Sequence, residues 1–340
     1  MIHRQMSKII DNFGASSTSG TTLQPHSDNE PRIVIMIISK YDEFSYRKQL
    51  RDTWIQAMPL NIKTFFVLGK PADHQSNESS TNSFDELQTD TSETNNFHYS
   101  SSWLIADKGD ENNSIIFNSL IDNEISRYGD VILVREFLDI YANLPYKSLS
   151  AISAAHFFCP SADFVLKLDS DTLPFGSNLV QFAEQIPLQQ HQSEENNVAT
   201  IYCYVWENAP VVRNKDSKWY VPFHHYPQSK FPPYCAGPSY LLTMTAVHAI
   251  HLEASLHHFV PIEDALITGI VAQAVGIRHK HSEYFMPLPV AIDELSAGCW
   301  QSETKNRPLT IHLQDPAKVL EYWDVIRHSN KKCIQKEPPS

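Results

Sequence analysis

The sequence predicts an α/β protein, in which a mostly parallel sheet is flanked by helices and continues into a mixed C-terminal extension. Three observations lead to this class. Residues 33–38 are a continuous apolar run of the kind found in buried parallel strands. Strand and helix patterns then alternate up to residue 168, and the second half loses this alternation. The length of 340 residues fits one large α/β unit, or about two domains at roughly 150 residues each.

The first half is predicted to build the parallel part of the sheet. The patterns indicate a strand at 33–39, a helix at 46–56, a strand at 63–68, a helix at 114–127, a strand at 130–135, a helix at 144–158 and a strand at 164–168. Strands joined by helices run parallel, so we expect four parallel strands.

The second half has a less regular pattern. It contains a predicted strand at 199–205, a region rich in proline and aromatic residues at 219–240, and helices at 245–256 and 263–275. We expect an antiparallel or irregular extension of the same sheet, and not a second domain.

Polar segments set the expected limits of the folded part. Residues 1–31 are rich in Ser, Thr and Asn without an apolar period, which predicts a disordered polar tail. Residues 71–102 have a similar composition and are predicted to be a flexible insertion loop. One folded domain is therefore expected over 32–328, followed by a C-terminal tail at 329–340.

Charge and composition exclude several classes of protein. The 27 Lys and Arg against 39 Asp and Glu give a formal charge of -12, and nucleic acid as a partner would need a basic face. A hydrophobic content of 42% excludes global disorder. The sequence contains neither G-x-G-x-x-G nor G-x-x-x-x-G-K-[ST], so it gives no evidence for a dinucleotide or P-loop site.

The five cysteines, at positions 159, 203, 235, 299 and 333, contain no C-x-x-C pair. Their wide spacing suits one or two long-range disulfides in an oxidising compartment, and buried reduced thiols in the cytosol are an equal alternative. N-x-[ST] sequons at Asn77 and Asn112 favour a secretory lumen slightly. The sequence shows neither a secretion signal nor an apolar run of about 20 residues, so a soluble chain without an address is expected as written.

Two aspartates follow the predicted strand at 164–168. In an extended chain the carboxylates of Asp169 and Asp171 project from the same side, at the strand end where α/β sheets bind ligands. Two hard oxygen donors there suit Mg²⁺ or Mn²⁺ on a diphosphate. A solvated turn is one alternative. The D-x-D-x-[TV] motif of haloacid-dehalogenase-like phosphatases, with Asp169 as nucleophile, is another, although Leu173 stands where that motif has Thr or Val.

A second acidic pair, Glu263 and Asp264, opens the predicted helix at 263–275. Carboxylates in a first helical turn are stabilised by unpaired backbone N–H groups, so helix capping is one explanation. The other is a general base, because a carboxylate at the edge of a pocket accepts a proton from a sugar hydroxyl within hydrogen-bond reach.

Eight segments carry a resemblance to a known family. They are RKQLRDTW (47–54), FFVLG (65–69), YGDVILVREFLDIYANLPYKSL (128–149), Cys159, KLDSDT (167–172), SKWYVPFHHYPQSKFPPYCAGPSYLLT (217–243), IEDALITGI (262–270) and LTIHL (309–313). In this order they resemble the inverting β-1,3-galactosyltransferase/N-acetylglucosaminyltransferase group, glycosyltransferase family 31. The resemblance implies a GT-A-like fold with a Rossmann-like sheet, and makes 32–328 the catalytic domain.

The resemblance also implies roles for single residues near the donor. Asp169 and Asp171 match the family's D-x-D string, which binds Mn²⁺ and the diphosphate of a UDP-sugar, and His312 matches the late histidine that completes the metal coordination. Arg47 and Arg51 match an R-x-x-x-R-x-T-W pattern that suits phosphate or uracil recognition. For His312 a structural hydrogen bond, and for the arginines a surface helix face, are the alternatives.

The remaining implied roles concern the acceptor. Asp264 is implied to be the catalytic base. Four residues are implied to bind the acceptor: Trp219, Tyr234, Gly237 and Glu263. The two aromatic rings of this set suit stacking on a sugar, with core packing as the alternative, and the glycine permits a close backbone approach.

The implied activity is Mn²⁺-dependent inverting transfer of galactose from UDP-galactose to a glycan on a glycoprotein or glycolipid, in β-1,3 linkage. UDP-GlcNAc is the alternative donor, since only SKWYVPFHHYP favours the galactosyl members. A Mg²⁺-dependent phosphatase and an inactive sugar-nucleotide-binding protein are alternatives of another class. Family members work in the Golgi lumen behind a membrane anchor, and no anchor helix is present in this sequence.

The sequence departs from the family pattern at two points near the implied site. The family string E-D-V-x-x-G matches only if Thr268 takes the place of its glycine, or if one residue more precedes Gly269. Pro238 stands where the family has a glycine, so the loop that shapes the pocket is expected to differ.

Overall fold

The computed structural model describes residues 32–71, 111–186, 198–289 and 308–334. The predictions of a disordered tail at 1–31 and of a loop over 72–102 lie outside these residues, as do the sequon at Asn77 and the thiol of Cys299. The side chains of Asn112 and Cys333 are likewise outside the described set.

A seven-stranded mixed sheet forms the centre of the molecule, in the order β10-β6-β9-β4-β1-β2-β3. Its strands are β1 (Ile33–Ile38), β2 (Ile62–Lys70), β3 (Val131–Leu138), β4 (Phe164–Asp169), β6 (Thr200–Cys203), β9 (Ser239–Thr243) and β10 (Arg278–His281). Strands β4, β1, β2 and β3 are mutually parallel. These are the four parallel strands that the sequence predicts.

Strand β9 breaks the parallel order, because it runs antiparallel to both β4 and β6. Short strands complete two small sheets, one of β11 (Phe285–Met286), β12 (Thr310–His312) and β5 (Thr172–Pro174), the other of β7 (Val205–Trp206) and β8 (Tyr234–Cys235). The α/β class with a mixed C-terminal extension is therefore confirmed.

Helices cover both faces of the sheet. They are α1 (Phe44–Leu50, continued by a π-helical turn Arg51–Ile55), α2 (Glu111–Tyr128), α3 (Leu144–Phe158), α4 (Gly176–Glu184), α5 (Met244–Glu253), α6 (π-helical Ala265–Val271, then Ala272–Ala274) and α7 (Pro316–Ile334). Helix α7 continues past residue 329, where the C-terminal tail was predicted to begin, and the domain limits stay predictions.

The core divides into two layers, one on each side of the sheet. Alternate side chains of β1 enter opposite layers, with Val34 and Met36 facing helices α3, α5 and α6, and Ile35 and Ile37 facing α1 and α7. Each of these side chains is buried, which stabilises the fold by about 1.5–3 kcal/mol per large aliphatic group. The continuous apolar sequence of β1 follows from this two-sided burial.

A disulfide joins Cys203 at the end of β6 to Cys235 in β8. The prediction of a long-range disulfide is thereby confirmed for this pair, and the alternative of reduced thiols is wrong for it. Cys159 is a free thiol whose pKa is raised to about 11 by burial. Among the described residues, no helix combines the length and apolar character needed to cross a membrane.

Candidate active site

The candidate site lies at the carboxyl end of β4, beside the end of β1. Asp169 is the last residue of β4 and pairs in register with Ile38 of β1. The chain then turns, and two hydrogen bonds hold this turn: the N–H of Ser170 donates to the carbonyl of Ile38 at 3.2 Å, and the hydroxyl of Tyr46 donates to the carbonyl of Ser170 at 2.7 Å. Asp171 follows in a fixed position, at the edge where α/β sheets bind ligands.

His312 is brought next to Asp171 by the small sheet. Strand β5, which begins at Thr172, runs antiparallel to β12 with Thr172 opposite His312. His312 Nδ1 donates to the carbonyl of Pro287 at 3.0 Å, so Nε2 points to Asp171 Oδ2 at 3.4 Å. Burial opposes the charged form of this imidazole, but the hydrogen bond to Asp171 outweighs it and raises the pKa of His312.

The donors at this point fit a divalent cation. Asp171 Oδ1 is buried, and no protein group of the described residues hydrogen-bonds to it, although a buried carboxylate oxygen is costly without a partner. His312 presents Nε2 to the same point because its other nitrogen is bound to a carbonyl, as in many metal sites. Within the described residues no three side chains of His, Cys, Asp or Glu converge, so a bound ion would need further ligands from a diphosphate or water.

Asp169 has a partner inside the protein. Its Oδ1 accepts a hydrogen bond from Lys167 Nζ at 2.6 Å, and the same ammonium donates to the carbonyl of Gly237 at 2.7 Å. Burial and the charge of Asp171 raise the pKa of Asp169 to about 6 against the effect of Lys167. These contacts hold the turn in place, while the side chains of Asp169 and Asp171 stay 28% and 27% exposed, so a solvated turn and a ligand site both stay open.

The second acidic pair lies beside the same lysine. Glu263 is 5% exposed, its Oε1 accepts from the Tyr240 hydroxyl at 2.6 Å, and its Oε2 lies 3.5 Å from Lys167 Nζ. The structure therefore corrects the predicted acceptor contact of Glu263. Its side chain points into the core, where it binds Lys167 of β4 and Tyr240 of β9.

Asp264 begins helix α6 with its side chain half-buried. Its Oδ1 accepts from the N–H of Ala265 at 2.8 Å, which is the capping role that the sequence also allowed. Its Oδ2 faces Gly237, where a Cβ atom would lie 3.0 Å from this oxygen. Burial and the adjacent Glu263 carboxylate raise the pKa of Asp264 to about 7, against the opposing effects of the Ala265 N–H and Lys167.

The family mismatch after Asp264 coincides with an irregularity of the helix. Residues Ala265–Val271 form a π-helix, which holds one residue more than an α-helical stretch of the same length. As a result Gly269, and not Thr268, meets the chain at Tyr234, where a Cβ would approach to 3.0 Å. The Thr268 hydroxyl donates instead to the Asp264 carbonyl at 2.6 Å and accepts from the Cys235 N–H at 2.9 Å.

The two arginines lie on α1 and the turn after it, but their guanidinium groups are engaged within the protein. Arg47 is fully buried and binds Glu124 through Nη2 at 2.6 Å, and Arg51 binds Glu124 at 2.7 Å and Asp130 at 2.7 Å. Their alternative as a surface helix face is wrong. The contacts place them in a structural ion-pair network, and nucleotide binding by either arginine stays a prediction.

The predicted acceptor residues divide into two groups. Tyr234 is half-buried and packs against Gly269 of helix α6, which begins at the candidate base. Burial, with a smaller effect of the Asp264 charge, raises the pKa of its hydroxyl to about 12. Gly237 contacts Asp264, as described above. Trp219 is 53% exposed, with the Lys218 ammonium 4.8 Å from its ring centroid, and its sugar contact stays a prediction.

Sequence reasoning missed two residues of this site. Lys167 and Tyr240 bind the carboxylates described above, and the Gly237 carbonyl is fixed by the same lysine. A signal for Lys167 was present, since a lysine in an otherwise apolar buried strand requires a charged partner.

A mixed α/β sheet with Asp169, Asp171 and Asp264 near the carboxyl end of β4 agrees with the GT-A-like glycosyltransferase fold that the sequence predicts. The family follows from comparison with known sequences. A family model described as Galactosyltransferase matches residues 87–283, which is more than half of the chain. The chain belongs to the galactosyltransferase family, and this membership contradicts the phosphatase alternative.

Curated relatives include enzymes named for both donor sugars. UDP-GlcNAc:betaGal beta-1,3-N-acetylglucosaminyltransferase 7 of Rattus norvegicus is 28% identical over 220 residues, which cover 65% of this chain and 53% of the relative. Beta-1,3-galactosyltransferase 5 of Homo sapiens is 24% identical over 310 residues, covering 88% and 79%. Beta-1,3-galactosyltransferase 1 of Mus musculus is 25% identical over 311 residues, covering 90% and 77%. The chain spans about half the length of the first of these relatives.

Solved structures with some likeness are also glycosyltransferases. One is the galactosyltransferase LgtC in complex with donor and acceptor sugar analogues, with 9% identity, a TM-score of 0.35, and coverage of 90% of this chain and 98% of the other. A second is the mannosyltransferase PcManGT of Pyrobaculum calidifontis in complex with GDP-Man and Mn²⁺, with 10% identity, a TM-score of 0.33, and coverage of 100% and 88%.

Proposed function

We propose that the protein transfers galactose from UDP-galactose to a glycan acceptor, with inversion at the anomeric carbon, and forms a β-1,3 linkage. One observation carries the proposal. Lys167 contacts both Asp169 and Glu263, the neighbour of Asp264, so the donor-side carboxylates and the candidate base share one edge of the sheet. An inverting transfer needs such a pair of groups on opposite sides of the sugar.

Asp264 is the proposed general base. Its Oδ2 takes the proton of an acceptor hydroxyl while the hydroxyl oxygen bonds to the anomeric carbon, and the carbon–oxygen bond to UDP breaks with its electron pair leaving on UDP. Attack from the face opposite the leaving group turns an α-linked donor into a β-linked product. A base whose pKa is raised toward neutrality accepts a proton more effectively than an ordinary carboxylate.

Asp171 and His312, with Asp169 beside them, are the proposed holders of Mn²⁺ on the donor diphosphate. When bound there, the ion neutralises the negative charge that develops on the departing UDP. Tyr234 and Trp219 are proposed to stack on the acceptor sugar. We place the enzyme in the Golgi lumen, where an acceptor on a glycoprotein or glycolipid is at hand, and the Cys203–Cys235 disulfide supports an oxidising compartment.

UDP-GlcNAc is the second candidate donor. The observation in its favour is the relative of Rattus norvegicus named as a β-1,3-N-acetylglucosaminyltransferase, while the segment 217–227 and the two galactosyltransferase relatives favour UDP-galactose. The two donors differ at the sugar, and both would use the same carboxylates.

The test is a transfer assay with purified protein, Mn²⁺, each UDP-sugar separately, and a panel of glycan acceptors. We expect UDP release that depends on acceptor, and a β-1,3-linked product by proton NMR. Asp264→Asn should retain UDP binding and lose turnover by roughly 10²–10⁴-fold, the usual contribution of a general base. Asp324→Asn, at an exposed position on α7, is the matched control and should keep full activity. Donor binding without turnover in the wild type would favour the inactive-binding alternative.

A further inference from the structure

Lys167 places a positively charged ammonium group in the interior of the protein. Its side chain is 1% exposed, inside β4, and lies opposite Tyr240 of the neighbouring strand β9. A lysine is almost never fully buried unless it is paired, because taking its charge out of water is costly. Lys167 is paired on several sides, and its partners come from three separate segments.

Two of those partners accept hydrogen bonds from the ammonium, and the third forms an ion pair with it. Lys167 Nζ lies 2.6 Å from Asp169 Oδ1, 2.7 Å from the carbonyl of Gly237 and 3.5 Å from Glu263 Oε2. The side chain is only 1% exposed, so the ammonium is closed off from a substrate. Lys167 therefore acts through other residues and not by touching sugar or phosphate.

We infer that Lys167 is a positioning residue for the transfer reaction. Its ammonium ties the donor-side strand, the Gly237 carbonyl and Glu263 at the start of helix α6 into one unit, and so fixes the neighbours of Asp264. The inference rests on the proposed function, since it assigns the base role to Asp264.

Two contacts of the Lys167 ammonium reach residues that adjoin Asp264. Lys167 binds the carbonyl of Gly237, and Gly237 faces Asp264 Oδ2. A displacement of this carbonyl would therefore shift the backbone that packs against the Asp264 carboxylate. Glu263 is held at both oxygens, by Tyr240 and by Lys167, and it immediately precedes Asp264. Two separate contacts of Lys167 thus reach the base through its immediate neighbours.

The charges around Asp264 explain the electrostatic part. Besides burial, three charged groups shift the pKa of Asp264: Glu263 at the start of the same helix, and Lys167 and Asp169 on β4. Burial raises the pKa of three tyrosines, Tyr240 on β9, Tyr234 on β8 and Tyr141 after β3, and the charge of Asp264 in turn raises it further. Lys167 favours the ionised form, while the carboxylates of Glu263 and Asp169 oppose it. Removing the ammonium leaves those two negative charges uncompensated, so the pKa of Asp264 should rise.

The experiment compares Lys167→Met with Glu263→Gln and with the double variant. Titration of Asp264 is followed by ¹³C NMR of its carboxyl carbon, assigned by its absence in Asp264→Asn, and does not require activity. We expect the pKa of Asp264 to rise by about one unit in Lys167→Met, as for loss of a nearby opposite charge. In Glu263→Gln, where a like charge is lost, it should fall. The double variant should lie between the two, and Lys167→Arg should restore most of the wild-type titration.

The control is Lys147→Met, another buried lysine at the same end of the sheet. Lys147 is 4% exposed and bonds to the Ser39 carbonyl and to Asp139, and neither contact belongs to the Asp264 helix or to Gly237. This variant should lose stability for the same reason as Lys167→Met, yet leave the titration of Asp264 in place. It separates a specific effect from the general cost of losing a buried charge.

The outcomes are distinguishable. A wild type without transfer activity would contradict the proposed function, while the NMR titrations still decide the role of Lys167. In an active enzyme, the pH at which kcat begins to fall should shift together with the pKa of Asp264 measured by NMR. Below that pH, kcat should drop about tenfold per pH unit. An Asp264 titration unchanged in Lys167→Met overturns the inference. If that variant does not fold, the double variant is compared with Glu263→Gln alone, and an equal pKa of Asp264 in these two proteins overturns the inference.

Discussion

Asp264 Oδ2 lies 3.0 Å from the point that a Cβ atom would occupy on Gly237. A glycine here leaves the oxygen of the candidate base uncovered on that side, and the backbone of Gly237 is itself held by Lys167. No positive φ angle requires glycine at this position, so the missing side chain is what matters. The contact links the loop before β9 to the proposed proton acceptor.

Gly237→Ala should therefore damage turnover more than stability. The added methyl group would lie 3.0 Å from the Asp264 carboxylate, which must move by a few tenths of an ångström. A displacement of about 1 Å costs on the order of 10²-fold in rate, so we expect this smaller one to lower kcat by about tenfold. Donor KM should change less than kcat, since the nearest atoms to the added methyl group all belong to Asp264. Steady-state kinetics with UDP-galactose measures the effect.

The control for this substitution is Gly129→Ala. Gly129 has a φ of +65° after helix α2, with open space around its Cα, so alanine there is strained by its backbone alone. It should lose roughly 1 kcal/mol of unfolding free energy and keep kcat. Equal loss of kcat in the two variants would contradict the proposed role of the Gly237 contact.

Transfer activity should depend on pH through Asp264. Burial and the charge of Glu263 raise the pKa of this carboxyl from 3.8 to about 7. The base works only when ionised, so kcat should be full above pH 7 and fall about tenfold per unit below it. A pH profile of kcat at saturating donor and acceptor measures this, and a rate that stays flat down to pH 5 would remove Asp264 from the base role.

The sequence predicted most accurately those strands that are buried on both faces and the long helices. The apolar run of β1 and the helix Leu144–Phe158 were predicted almost at their observed limits, because each has a strong local pattern. Strand β9, Ser239–Thr243, was missed, since three apolar residues between a serine and a threonine are too few to show a periodicity of their own. Its antiparallel pairing with β4 and β6 depends on tertiary contacts alone.

The sequence predicted the carboxylates of the site, but not the residues that hold them in position. Asp171, His312 and Asp264 were predicted from motifs, whereas Lys167 was passed over as one letter of an apolar strand. Its partner Gly237 is 70 residues further along the chain, so no local pattern joins the two. The π-helical turn after Asp264 was visible only as a mismatch of one residue before Gly269.

The ion-pair network of Glu124 should contribute to stability and not to donor binding. Glu124 is 6% exposed and accepts hydrogen bonds from Arg47 and Arg51, so Glu124→Gln leaves buried guanidinium charge uncompensated. We expect a loss of about 3–5 kcal/mol in the free energy of unfolding, measured by urea denaturation. Asp52→Asn, which breaks the exposed pair with Lys48, is the control and should leave the free energy of unfolding near its wild-type value.

The same network offers a test of the arginines as nucleotide ligands. If Arg51 binds only Glu124 and Asp130, Arg51→Lys should lower stability, because a lysine cannot form the paired contacts of a guanidinium. The Kd for UDP should then stay at its wild-type value in calorimetric titration. A weaker affinity for UDP without loss of stability would instead support the nucleotide role predicted from the sequence.

Removal of His312 should separate metal binding from folding. The imidazole donates to the Pro287 carbonyl and presents Nε2 to Asp171, so His312→Phe keeps a planar ring at this point of β12 and loses a nitrogen ligand. We expect binding of Mn²⁺ in the presence of UDP, followed by electron paramagnetic resonance, to weaken at least about tenfold, as when a group supporting a metal site is removed. The free energy of unfolding should change far less than in Glu124→Gln. His328→Phe, on the exposed part of α7, is the control that should bind Mn²⁺ as the wild type does, and equal weakening in both variants would contradict the metal role of His312.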